Sequence, residues 1–507
     1  MRENLQVRGL GQSIDWKLIF CYLLLVLIGW VNIYASVHSA EPSSIFDISL
    51  RCGKQFIWIL TAFSLAAVIL FVLPAKLWEG LSIPIFLFVL FLLVAVIFLG
   101  IEVKGSRSWF EFGPVRFQPA EVSKISTSLL LATLMSQVGF KFSRLKDFIL
   151  SVLVIGVPMV VILAESETGS ALVYAGFIFV MYREGLPGWW LVAIGMVILM
   201  FVTTLLYSPY VALVVLIGAI AVGGVLHDGK ATWGTLGNVV MIVFLAFLPR
   251  LWGLVTGSVQ EAVTAAENTY TVLPEGDDGG VLLAFLLDVK PVHFLIGLGL
   301  LSLPYFLMKA YRERDSFKAL ASAGFIAGLV LVFSVDFIFN NVLQDHQRKR
   351  IEVLLGLKED PAGVGYNVNQ SMIAIGSGGM TGKGFLNGTQ TTYGFVPEQS
   401  TDFIFCTVGE EWGFVGSLVV IGLYVFMIAR ILIDAEHSRQ SFTRIYGYCV
   451  ASCIFMHLFI NIGMTIGIMP VIGIPLPLLS YGGSSLWAFT VLIFIFIALY
   501  REEKKYF

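Results

Sequence analysis

The sequence predicts an all-α fold, a polytopic bundle of transmembrane helices with one large outer loop. Of its 507 residues, 57% are hydrophobic and only 13% are charged, with a mean hydropathy of +0.87. Apolar runs of roughly 20 residues, each long enough to cross a bilayer, recur from end to end. Basic residues collect in alternate short loops, the bias that orients membrane helices. The net charge of −2 provides no basic surface, so nucleic acid is not an expected partner and the membrane is.

The runs fall at 15–36, 54–74, 78–99, 119–138, 146–164, 168–183, 188–207, 210–226, 233–253, 292–310, 319–340, 404–431, 444–467 and 476–499, about fourteen spans. The first is too long for a signal-peptide core and reads as an uncleaved span. With the N-terminus inside, the inner loops hold Lys141, Arg144 and Lys146, then Lys309, Arg312, Arg314 and Lys318, then Arg430, Arg439 and Arg444. The segment 256–290 is acidic and falls outside. The five cysteines are scattered and read as small packing residues. The six histidines form no zinc motif.

Two outer segments are unusually polar, 100–118 and 341–403. The second is long, shows no regular structure in its pattern, and has too many apolar and aromatic residues for disorder. It is expected to fold down onto the membrane surface.

This loop ends at Asp402, beside a long apolar run. Ser400, Thr401 and Asp402 suit a helix N-cap. The same carboxylate, at the boundary of headgroups and water, suits a general base. Arg348, Lys349, Arg350 and Lys383 in the loop suit headgroup anchoring or a bound diphosphate. The run IAIGSGGMTGKG (373–384) has five glycines and many backbone N–H groups, a weak signal for a phosphate cradle. Glu121 and Lys124, three apart at the start of a span, suit a buried ion pair. Glu410 and Glu411 suit buried carboxylates that lock helices together.

Three stretches carry a resemblance: GYNVNQSMIAIGSGGMTGKGFLNGTQTTYGFVPEQSTDFIF (365–405), GEEWGFVG (409–416) and GIPLPLLSYGGSS (473–485). With GSRSWFEFGPVRFQPAEVSK (105–124), they are similar to the signatures of the SEDS family, which takes in RodA, FtsW and SpoVE. GTQ and IPLP are closer to the RodA pattern. The resemblance implies a peptidoglycan glycosyltransferase that polymerises lipid II for cell elongation and shape. It implies a site on the outer face of the bacterial cytoplasmic membrane and a class B penicillin-binding protein as partner.

The family's essential acid, in PE..TDF, corresponds to Asp402. The resemblance implies a diphosphate or sugar site drawn from Arg348, Arg350, Lys383, Lys124, Glu121, Arg107, Trp109, Gln390 and Glu398. Trp109 suits sugar stacking or interface anchoring equally. A divalent cation, Mg²⁺ or Mn²⁺, would suit the diphosphate, although no compact acidic ligand motif is visible. Family members have about ten spans, so 208–318 reads as an insertion between an N-terminal part, 15–207, and a C-terminal part, 319–500. ESETGS (165–170) and DHQR (345–348) depart from the family's usual QPDxGT and DYQR, which leaves Glu165–Glu167 outside the carry-over.

Two other functions compete. A lipid II flippase would line a mid-membrane path with ionisable residues, whereas the polar chemistry here gathers at the outer face. A non-catalytic scaffold for cell-wall synthesis has no use for a basic loop ending in a poised acid.

Overall fold

The computed structural model describes residues 14–38, 44–103, 105–113, 115–228, 364–504 and most of 296–357. The chain divides into two compact units, Met1–Pro187 with Lys349–Phe507, and Gly188–Arg348.

Eight described helices are long and apolar enough to cross a bilayer: Trp16–Val37, Arg51–Val72, Ser82–Leu99, Leu145–Ala164, Trp189–Leu206, Ile404–Glu436, Ser441–Thr465 and Gly483–Lys504. Of the other expected spans, 119–138 is the helix Pro119–Met135. It is too polar to count because Ser123, Lys124, Ser126, Thr127 and Ser128 are all buried in it. Residues 168–183 form two short helices, Thr168–Val173 and Phe177–Arg183, joined by a 3₁₀ turn. Residues 210–226 and 319–340 are helical, with shorter apolar stretches, Pro209–Gly224 and Ala319–Val335. The runs 233–253 and, for the most part, 292–310 lie outside the described residues, as does the acidic segment 256–290.

In the larger unit Ser441–Thr465 is the axis. It packs on Ile404–Glu436, Pro119–Met135 and Gly483–Lys504, and nearly every side chain from Phe442 to Thr465 is buried. At the end of Ile404–Glu436 remote from Asp402, ion pairs staple the helices. Arg444 grips Glu184 with two bonds of 3.1 and 2.9 Å. Arg183 meets Glu436 at 2.6 Å, and Arg430 meets Asp15 at 2.6 Å. Asp15 also caps Trp16–Val37, accepting from the Lys17 and Leu18 N–H groups. The smaller unit closes on an apolar cluster of Met200, Ala212, Leu213, Leu216, Leu329 and Val332.

Two polar segments are more regular than their sequence pattern shows. The segment 100–118 is a three-stranded antiparallel sheet, β1 (Ile101–Val103), β2 (Ser106–Phe112) and β3 (Val115–Phe117), in the order β1-β2-β3. Its turns use Gly105 and Gly113, both at positive φ. The loop 341–403 is not irregular: it holds the helices Asp345–Leu354 and Val364–Ser377 and the single turn Thr389–Thr392. Polar composition hid them, because Asp345–Leu354 has little apolar face to reveal a helical period.

Candidate active site

The stretch Pro397–Phe403 forms a closed turn. Glu398 takes a positive φ of 51°, and its carbonyl accepts from the Thr401 and Phe403 N–H groups at 3.1 and 3.2 Å. Its carboxylate accepts from the Thr401 hydroxyl at 3.1 Å. Glu398 therefore shapes the turn. The N-cap of Ile404–Glu436 falls on Phe403, whose side chain makes no capping bond.

Each of the three residues before Phe403 is held at its carbonyl. Ser400 O accepts from Tyr481 N at 2.8 Å. Thr401 O accepts from the Ser480 hydroxyl at 2.6 Å. Asp402 O accepts from Asn461 Nδ2 at 2.8 Å. The donors come from the SYGG stretch and from the central helix, so the IPLPLLSYGG motif is a clamp on this turn. Gly473 has φ 79°, and a Cβ there would stand 3.4 Å from Asp402 Oδ2. The half-buried carboxylate of Asp402 thus lies at contact distance over Gly473, whose positive φ favours glycine.

Arg350 is a cation that the structure places in the field of Asp402. Burial pushes the guanidinium pKa down, and the charge of Asp402 opposes that. Arg350 also lines a cavity of about 170 Å³ with Val353, Val368, Asn369, Met372 and Met469. Arg348 lies two positions away on the same helix, and residues two apart do not share a helix face.

Lys383, Lys124 and Arg107 are engaged elsewhere. Lys383 Nζ donates to Glu410 Oε1 and the Thr389 hydroxyl, both at 2.7 Å. Glu410, fully buried, also accepts from the Gln390 and Thr391 N–H groups and the Thr391 hydroxyl, at 2.8, 2.9 and 2.9 Å. It anchors the turn at Thr389–Thr392. Lys124 Nζ sits 2.9 Å from Glu121 Oε1 and 2.8 Å from His457 Nε2, with Glu121 and Lys124 each only 2% exposed. It is enclosed, and the geometry does not offer it to a diphosphate. Arg107, on the exposed sheet, faces Glu102 at 3.6 Å. Trp109 pairs with Ile101 in β2 and is half-buried.

The glycine-rich run directs backbone N–H groups at carbonyls: those of Gly378, Gly379, Gly382, Lys383 and Gly384 all donate to backbone oxygens. Gly413 interrupts Ile404–Glu436 with φ 66° and ψ −158°. Residues 379–384 lie along the break: Lys383 N and Gly384 N donate to the Glu410 and Glu411 carbonyls at 3.0 Å, and Phe414 N and Val415 N donate to Gly379 O and Met380 O at 2.9 and 3.1 Å. These backbone groups satisfy those that the broken helix frees. The glycines permit the approach, since a Cβ on Gly378 or Gly382 would stand 2.0 Å from a facing carbonyl oxygen.

Beside the sheet, Glu167 accepts from the side chains of Gln118 and, at 2.6 Å, Ser170. Ser106 Oγ donates to Glu165 O at 2.8 Å. Both carboxylate oxygens of Glu165, and one each of Glu167 and Glu121, are buried without a hydrogen-bond partner among the described residues. Burial pushes the Glu165 pKa up to about 9, and the Glu167 charge adds to it. Burial also raises that of Glu167, opposed by its Ser170 and Gln118 bonds. Among the described residues no three His, Cys, Asp or Glu side chains form a metal-ligand group.

Sequence reasoning missed Asn461, Ser480, Tyr481, His457 and Arg51. Asn461 and His457 looked like ordinary polar residues in a span. Arg51 begins the second span, where a cation reads as an interfacial anchor.

Fold and site together define a polytopic helical membrane protein with a carboxylate on a clamped turn at a helix mouth and a cation from a neighbouring helix in its field. The family model described as "Cell cycle protein", FTSW_RODA_SPOVE, matches residues 15–222 and 316–505, and the chain belongs to that family. The peptidoglycan glycosyltransferase RodA of Treponema pallidum is 29% identical over 484 residues, covering 95% of this chain and 96% of the relative. The peptidoglycan glycosyltransferase MrdB of Escherichia coli K12 is 28% identical over 433 residues, covering 85% and 81%. Among solved structures, a chain from a peptidoglycan synthase complex aligns over 97% of this chain and 98% of its own, with TM-score 0.57 and 21% identity. The rod shape-determining protein RodA of Thermus thermophilus aligns over 97% of both chains, with TM-score 0.51 and 19% identity. These two establish likeness of fold.

Proposed function

We propose that this chain is a peptidoglycan glycosyltransferase that polymerises lipid II, an undecaprenyl-diphosphate-linked disaccharide-peptide, at the outer face of the bacterial cytoplasmic membrane. The observation that carries the reading is the Asp402 carboxylate, fixed over Gly473 by a turn clamped at three successive carbonyls and set in the field of Arg350. The names of the relatives supply the substrate class.

The sugar of lipid II leaves from an α-linked diphosphate and ends in a β-1,4 linkage, so the anomeric centre inverts in one displacement. The acceptor 4-hydroxyl attacks the anomeric carbon and its proton passes to Asp402. The C–O bond to the diphosphate breaks, and the undecaprenyl diphosphate takes the electron pair. Arg350 neutralises that leaving charge with a bidentate fork. A Mg²⁺ or Mn²⁺ ion, if required, would be carried by the diphosphate. A class B penicillin-binding protein is the proposed partner, in keeping with the polymerization and crosslinking described for the similar synthase complex.

The test is glycan-strand formation from lipid II by purified wild-type, Asp402→Ala and Asp402→Asn protein, with and without the transpeptidase. Both variants are expected to be folded and inactive. Asn keeps the polar contacts and cannot take the proton, so near-normal activity of Asp402→Asn would sink the assignment.

A further inference from the structure

The reaction joins two lipid-linked diphosphates, and only one of them leaves. The donor's diphosphate departs at the reacting carbon. The acceptor keeps its own, a whole disaccharide away from its attacking 4-hydroxyl. One cation beside the base serves the first, and the second needs a cation displaced along the site.

Arg51, at the start of Arg51–Val72, is a second cation held at the same turn. Its NH1 donates to the Ser400 hydroxyl at 2.5 Å, two residues before Asp402. Its guanidinium lies 5.9 Å from the centroid of the Tyr481 ring. Tyr481 is fixed in turn by its N–H on Ser400 O at 2.8 Å, and the next residue, Gly482, donates its N–H to Gln55 Oε1 at 3.2 Å. Arg51 is exposed. Its partners among the described residues are this neutral hydroxyl and this ring. Arg107 and Arg116 on the outer sheet differ, each facing a carboxylate. An arginine held by a ring and a hydroxyl is oriented without being neutralised by any described residue, and among those residues most of its donors stay open to an anion.

We propose that Arg51, seated on Tyr481 and Ser400, binds the diphosphate that the acceptor retains, while Arg350 serves the departing one. The proposal rests on the polymerase reading above. Because Ser400 and Asp402 share one clamped turn, acceptor binding at Arg51 also sets the distance from the acceptor 4-hydroxyl to the base. An anionic phospholipid headgroup shares the chemistry of the acceptor's diphosphate, and the test separates them.

Two lipid II analogues divide the roles. Replacing the acceptor 4-hydroxyl by hydrogen gives a molecule that acts only as donor. Replacing the anomeric C–O–P oxygen by methylene gives one that acts only as acceptor. Binding of each is measured to wild-type, Arg51→Ala, Arg51→Lys, Tyr481→Leu and Arg350→Ala protein, as full chains in nanodiscs of phosphatidylcholine alone and of phosphatidylcholine with phosphatidylglycerol. Arg51→Ala should weaken the acceptor-only analogue at least tenfold and the donor-only analogue less than twofold, in both lipids. Arg51→Lys and Tyr481→Leu should fall between, with melting temperatures near wild type. Arg350→Ala should show the reverse preference. The proposal is overturned if Arg51→Ala weakens both analogues equally or neither, or if its effect appears only with phosphatidylglycerol present. Polymerisation by Asp402→Asn is scored separately, so failure of the base assignment is distinguishable from failure of this subsite.

Discussion

Asn461 Nδ2 donates one hydrogen to the carbonyl of Asp402 at 2.8 Å and the other to the carbonyl of Ile474 at 2.7 Å. One amide on the central helix thus ties the acid's backbone to the IPLP stretch that follows Gly473. One turn earlier on the same helix, His457 stands 2.8 Å from Lys124 and 3.2 Å from Pro475 O. The buried pair Glu121–Lys124 and the turn at Asp402 therefore hang on the same helix face. Lys124 is thus linked to the turn at Asp402 through His457 and Asn461 of that helix.

Asn461→Leu should show what that tie contributes. It leaves two carbonyls short of a donor, about 1–3 kcal/mol each if they stay buried and unpaired. Turnover is expected to drop at least tenfold while KM for lipid II changes little, because the base is displaced and the binding cations are not. A KM rise with unchanged kcat would show that Asn461 orders the binding surface instead.

Gly473→Ala tests the seat of the carboxylate. The φ of 79° already disfavours a side chain, at a cost of roughly 1 kcal/mol. The new Cβ would touch Asp402 Oδ2. A modest fall in melting temperature with a larger fall in kcat is expected. A stable variant with normal kcat would show that the carboxylate is free to move away.

The helix bundle was legible because the bilayer imposes one length and one polarity on every span. The ion pair Glu121–Lys124 was legible from spacing on a helix. Arg350 was legible as a cation in the right loop, but not separable from Arg348 or Lys383. Nothing local distinguishes them: Lys383 is taken by Glu410, 27 residues away in sequence, and that pairing exists only once the chain folds back on the break at Gly413. The same fold-back explains why glycines that looked like a phosphate cradle are backbone-contact residues. Arg51 could not be placed at all, because its partners Ser400 and Tyr481 lie about 350 and 430 positions further on.

The strap over the broken helix predicts a difference between two glycines. Gly382→Ala would place a Cβ 2.0 Å from the Glu411 carbonyl oxygen at φ 80°, backbone against backbone, with no flexible atom to yield. Gly379→Ala meets nothing within 4 Å, so only its φ of 56° resists, roughly 1 kcal/mol. Melting in detergent should rank them clearly, with Gly382→Ala far the less stable. Equal melting temperatures would mean that the strap can lift from the helix at little cost.

Glu165 gives the stability a pH dependence of known sign. Its pKa in the fold is about 9, against 4.5 for an ordinary Glu. Below about 4.5 both folded and unfolded chains hold the proton and nothing is lost. Between these values the unfolded chain releases it and the folded chain keeps it, so stability falls as pH rises, by at most about 1.4 kcal/mol per unit. Glu165→Gln abolishes the term. Its melting temperature should exceed that of wild type at pH 8 and approach it at pH 5. Parallel melting curves across that range would refute the buried protonated carboxyl.

Arg350 and Lys383 looked alike in the sequence and should now part company. Lys383 neutralises a fully buried Glu410, and its own side chain is 26% exposed. Removing one member of such a pair strands the other, costing several kcal/mol when both are buried and about 2 kcal/mol in this half-open setting. The loss spreads to the turn at Thr389–Thr392, whose N–H groups share the same carboxylate. Arg350 lines an open cavity, and the acid whose field it feels, Asp402, is itself half-buried. Lys383→Ala is therefore expected to melt several degrees lower, with activity falling in step with the folded fraction. Arg350→Ala is expected to melt near wild type and to polymerise lipid II at least tenfold more slowly. Arg350→Lys should recover only part of that rate, because a single ammonium replaces the bidentate fork. Melting curves and strand-length gels on the same preparations decide it. If Lys383→Ala keeps its melting temperature and loses turnover, the diphosphate lies along the strap, and Glu410 is a ligand-side group instead of an anchor.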